Sequence, residues 1–190
     1  HREIIKTPFK TVTFRLYLNR GADLSQIPDI MAAQPLGRVL RDIKGKLSGN
    51  EIKRLATRSR TVIAKCKENP AFFQEQLDKL LFSFIQSPRQ NLHKQKFPDN
   101  PHPRLACDVV IFPGSAFAGA ARYSVDASTP SKAVFLIPFS YLSFLLLLRL
   151  IGRGTYASEH WRSLFHHELA HFVNDFSEKE HQIDKLLERV

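Results

Sequence analysis

Between Ala133 and Ile151 the chain runs for nineteen residues with a single charge, Arg149. Water solvates such a stretch poorly, so it must enter a membrane or become the centre of a core. Its length alone fits a membrane span, but Pro138 divides it. Ahead of the proline stands Ala133–Ile137, with Val, Phe, Leu and Ile; behind it stands the Leu-rich Phe139–Ile151. Proline lacks a backbone donor and clashes with the preceding helical turn, which disfavours one helix across the whole stretch. The expectation is a buried strand followed by a buried helix, with contact between 133–151 and a membrane left open. The rest of the composition suits an ordered interior, with 43% hydrophobic residues and 15 Phe in 190.

Other elements follow from periodicity. Lys10–Leu18 alternates, with Val12, Phe14, Leu16 and Leu18 on one side, and reads as a half-buried strand. From Pro35 to Gln86 the pattern is helical, broken at Ser48-Gly49-Asn50. Ile52, Leu55, Val62, Ile63 and Cys66 form one apolar stripe; Phe72, Phe73, Leu77, Leu80 and Leu81 form a second. Residues 87–104 are polar, basic and hold four prolines, the mark of a long loop. Leu105–Phe112 and Ala120–Val125 are further strands. Short strands this close together favour a small antiparallel sheet packed on helices, an α+β fold.

Charge is unevenly placed. The net +10 lies wholly in residues 1–100, which hold 19 Lys+Arg against 9 Asp+Glu; residues 101–190 hold 9 of each. A basic, mainly helical region over 1–104 therefore precedes a charge-balanced region over 105–190, within what can still be one compact domain. The basic half suits an acidic partner, with nucleic acid as one form of it. Two cysteines, Cys66 and Cys107, exclude a disulfide scaffold and leave a single bridge or two thiols open. The chain starts at His1, and its first thirty residues carry no signal-peptide pattern. A longer parent protein is expected, soluble, and either cytoplasmic or a secreted effector.

The chemistry is concentrated in His167-Glu168-Leu169-Ala170-His171. Helical residues four apart share a face, so the HExxH histidines can grip one metal ion while Glu168 stands beside it as a general base. Zinc suits two imidazoles and acidifies a water that Glu168 can deprotonate. Ser158 is the expected N-cap of this helix, and Trp161, Phe165, Leu169 and Phe172 its core-facing side. His160, two turns back on the metal-binding face, reads as a cleft residue and His166 as a surface residue. Tyr141, Tyr156, His160 and Arg162 are the nearest candidates to stabilise an oxyanion.

A third ligand is needed. Asn174 can end the helix, and Ser177 with Glu180 forms a capping-box pattern that starts another, giving a helical hairpin. Glu180 then lies at a height similar to His171. Neighbouring His181 is the rival, and Glu178 a weaker one. Asp175, four residues after His171, can orient an imidazole.

HExxH followed by a helix bearing Glu180-x-x-x-Asp184 resembles the gluzincin metallopeptidases, the zincin group that includes thermolysin and the CAAX prenyl proteases. The resemblance covers residues 105–190 and takes in Ser115-Ala116-Phe117-Ala118. It implies a zincin-like domain with its HExxH on an active-site helix, a zinc ion held by His167, His171 and Glu180, and Asp184 orienting a ligating histidine. It also implies peptide-bond hydrolysis of a protein or peptide substrate. The interval from His171 to Glu180 is shorter than in that group. The metzincin pattern is not met, since Asn174 and Ser177 occupy its Gly and His positions. With His181 as ligand the site is similar to that of the SprT-type proteases, which act in association with nucleic acid. A non-catalytic metal-binding interaction domain is the remaining reading. The strand Ala133–Ile137 is the expected edge for an extended substrate.

Overall fold

The computed structural model describes residues 5–7, 11–34, 47–89, 92–94, 104–114, 121–124 and 131–165. In chain order these give β1 (Ile5–Thr7), β2 (Thr11–Leu18), α1 (Ile27–Ala33), α2 (Gly49–Glu68), α3 (Pro70–Arg89), β3 (Leu92–Lys94) and β4 (Arg104–Phe112). β5 (Ala121–Ser124), β6 (Ser131–Pro138), α4 (Phe139–Leu148) and α5 (residues 154–165) complete the order.

Local chemistry sets several boundaries. Ser48 caps α2: its hydroxyl accepts from Glu51 N while Glu51 Oε2 accepts from Ser48 N at 2.8 Å, a reciprocal capping box. Asn69 separates α2 from α3, and its side chain accepts from Phe72 N at 2.9 Å. Pro70 stands at the first helical position, where a missing N–H costs no helical bond. The apolar stretch divides at Pro138, as its composition suggests: the proline ends β6 and its extended backbone caps α4. Every residue of α4 is buried. Among the described residues no helix is long and apolar enough to cross a membrane.

The fold mixes helix and strand, but the sheet departs from expectation. Its four strands run in the order β2-β4-β6-β5; β2, β4 and β6 are mutually parallel, and only β5 is antiparallel to its neighbour. The antiparallel assignment fails because strands close in sequence need not be adjacent in the sheet. β5 passes to the outside, and β6 returns to lie beside β4. Val109, Ile111, Phe135 and Ile137 are buried, as a central position demands of near-continuous apolar strands. For the same reason β6 is not an edge; among the described strands of this sheet the edges are β2 and β5. Residues 87–104 also differ from a plain loop: α3 extends to Arg89, and β3 pairs in parallel with β1.

β2 joins β4 in register from Thr11↔Arg104 to Leu18↔Ile111. Within it Arg15 reaches across to Asp108, which is buried, with Nε 2.8 Å from Oδ1. That hydrogen bond raises the Arg15 pKa. The connection from β2 to β4 carries α1, α2 and α3; α3 packs on β2 and α4, while α1 packs on α4 and α2. Gln34, at the end of α1, donates from Nε2 to the Ser140 carbonyl at 2.7 Å. Residues of the basic and balanced halves thus share one core, from Phe14 and Leu77 to Leu145 and Phe165. Cys66 and Cys107 are free thiols, both buried. Burial pushes the Cys107 thiol well above its ordinary value, and the adjacent Asp108 charge adds to this.

Candidate active site

α5 leads to the HExxH sequence, and the fold anchors it on two sides. Ala157, Trp161 and Phe165 stand four apart and are buried, so one stripe of the helix faces the core. The Trp161 ring lies 4.5 Å from that of Phe84 on α3, and its Nε1 donates to the Phe84 carbonyl at 3.3 Å. The Phe165 ring lies 4.6 Å from Phe135 on β6 and 5.5 Å from Phe14 on β2. Trp161 and Phe165 are therefore core-facing, as their spacing suggests. Ser158 is not an N-cap, because the helix begins earlier. A wide turn over Arg149–Arg153 follows α4, and Gly152 (φ 86°) reverses the backbone there so that α5 opens on a new axis. Such a φ favours glycine.

His160 lies at the border of the buried stripe. Tyr141 Oη and His160 Nδ1 are 2.9 Å apart, and the imidazole meets the rings of Phe144 and Tyr156 at 5.3 and 6.1 Å. The Tyr141 hydroxyl, on a buried residue, thus has His160 as a hydrogen-bond partner. Its signal in the sequence is a phenol inside a largely apolar helix, a group that needs a partner once buried. Tyr156, His160 and Arg162 are half-buried.

Burial also raises the Tyr141 pKa. The unfolded phenol ionises near pH 10 while the folded one stays neutral, so this group's contribution is complete below pH 10 and is lost as pH rises above it. Cys107 acts in the same direction from about pH 8.5. Tyr141→Phe is expected to cost about 1 kcal/mol at neutral pH through the lost hydrogen bond. The same variant should decline less steeply than the parent above pH 10. Urea unfolding at pH 7, 9 and 10.5 reads both effects, and parallel declines would count against the assignment.

His167, Glu168, His171, Asp175, Glu180, His181 and Asp184 lie outside the described residues, as do Ser115–Ala118, His166, Asn174, Ser177 and Glu178. Among the described residues no three His, Cys, Asp or Glu converge on a metal position. Comparison with family models, curated proteins and solved structures gives no match.

Proposed function

We propose that the chain is a zinc-dependent metallopeptidase whose metal is held by His167 and His171, with Glu180 as the third ligand. The observation that carries this reading is the HExxH sequence, His167 to His171, which directly follows α5 in the chain. On a helix, residues four apart lie about 40° apart around the axis, so the HExxH spacing would let both imidazoles face one ion. Seven helical residues span about 10 Å, so on a continuous helix His160 would be too far from His167 to share an ion with it. Two imidazoles and a carboxylate are a donor set that zinc accepts with a position left open. A gluzincin-like arrangement is part of the same reading.

When bound, zinc supplies the Lewis acidity that polarises a peptide carbonyl and acidifies a water. Glu168 takes the proton from the attacking water and returns it to the leaving amine, so protons balance over the cycle. Asp184 orients a ligating histidine by accepting its second N–H. An extended substrate would pair with the outer side of β5, the antiparallel edge, in place of β6.

The test is metal analysis joined to a cleavage assay on the whole chain with a mixture of fluorogenic peptides. One zinc per chain is expected. Cleavage should vanish with 1,10-phenanthroline and return on adding zinc. Cleavage indifferent to the chelator, or a chain that takes up no zinc, would overturn the proposal.

A further inference from the structure

A depression of about 290 Å³ opens where α2 meets the turn at Gly152. Arg54 and Arg58 border it from one face of α2, four residues apart, and Arg153 borders it from the turn. Leu55 and Ile151, both buried, form an apolar lining. The glycine keeps this place open: a Cβ on Gly152 would lie 3.3 Å from Arg58 Nη1.

Three guanidinium groups repel one another around one depression, and the described ion pairs are made by Arg15, Lys67 and Lys79. The single carboxylate in the lining, Glu51, accepts from the Ser48 amide and hydroxyl, both 2.8 Å from Oε2, and also feels the charges of Arg153 and Arg54, so it offsets only part of the arginine charge. The lining therefore carries a net charge of +2. Guanidinium forks match the oxygens of phosphate in pairs, and a phosphate monoester carries about −1.5 to −2 near neutral pH. The volume stands at the small end for ligand pockets, which favours a compact head group.

We propose that Arg54, Arg58 and Arg153 form a binding site for a phosphate monoester, built jointly by α2 and the turn that opens α5. The site makes no use of the HExxH residues, so it stands whether or not the chain is a peptidase.

Calorimetric titration of the whole chain at constant ionic strength tests it, with inorganic phosphate, glycerol 3-phosphate, a phosphoserine heptapeptide, acetate and a single-stranded 12-mer oligonucleotide as probes. One phosphate per chain is expected, with acetate at least about tenfold weaker. Arg58→Gln and Arg153→Gln should each weaken phosphate about tenfold, and Lys53→Gln should leave it unchanged. The two esters separate the sources: tighter binding of the heptapeptide assigns a phosphorylated side chain, and equal or weaker binding a free small molecule. Phenylglyoxal labelling of the unmutated chain, read by mass spectrometry, guards against variants that misfold; phosphate must protect Arg54, Arg58 and Arg153 while exposed Arg60 continues to react. Acetate matching phosphate would overturn the site, as would unprotected arginines. A preference for the oligonucleotide joined to equal damage from Lys53→Gln would do the same by showing a diffuse polyanion surface.

Discussion

Glu168→Gln is expected to retain one zinc per chain and to lose about 10²–10⁴-fold in kcat, the range a positioned general base supplies. The amide keeps the size and shape of the carboxylate but cannot take a proton. In the proposed arrangement Glu168 stands beside the ion and does not ligate it, so metal content should not move. The two readings separate the roles. Loss of zinc together with activity would make Glu168 a ligand and not a base. Turnover at the parent rate would remove it from the reaction. His171→Ala is the companion measurement, and there metal and activity should fall together.

The second large effect is on stability. Trp161→Ala is expected to cost about 3–5 kcal/mol, a large part of the roughly 5–15 kcal/mol that holds a domain of this kind together. Trp161 is 1% exposed, packs its ring against Phe84 and donates its indole N–H to the Phe84 carbonyl. Alanine leaves a cavity between α3 and α5 and strips that carbonyl of a donor. Trp161→Phe should recover part of the loss, because it refills the space without restoring the hydrogen bond. Chemical denaturation with two probes measures both variants; a cost under about 1 kcal/mol for Trp161→Ala would mean that α5 is held by something else. Activity should decline with stability here, since α5 leads directly into the residues proposed to bind zinc.

The elements whose pattern is local were legible in the sequence. Alternation in Lys10–Leu18 became β2, and the proline inside the apolar stretch became the junction of β6 and α4. The Ser48 break became a capped helix start. Asn69-Pro70 carried the same kind of signal, yet it was submerged in a continuous helical period across both helices. Strand order was not legible, because pairing depends on which strand buries both faces and not on distance along the chain. β5 was legible as a strand over Ala120–Val125, but its four residues do not reveal which neighbour they pair with. The start of α5 was misplaced for a related reason: Ser158 is a good capping residue, but Gly152 turns the chain first. Of the candidate site, the HExxH spacing was visible at once. The Tyr141–His160 contact was hidden, since it joins two helices through their tertiary packing. The Arg58–Gly152 approach was hidden for the same reason.

The partners Arg15 and Asp108 are 93 residues apart in the chain. A ribosome adding about 5–20 residues per second takes about 5–20 seconds to cover that interval. Throughout that time β2 is exposed to the cell as an unpaired strand with alternating apolar side chains, a template for any other strand that passes. α2 and α3, which close through neighbouring residues, can form meanwhile and shield part of its apolar face. The newborn chain is therefore most vulnerable to aggregation between the synthesis of β2 and that of β4, and substitutions that make β2 stickier should lower yield in cells even where they leave the finished protein unharmed.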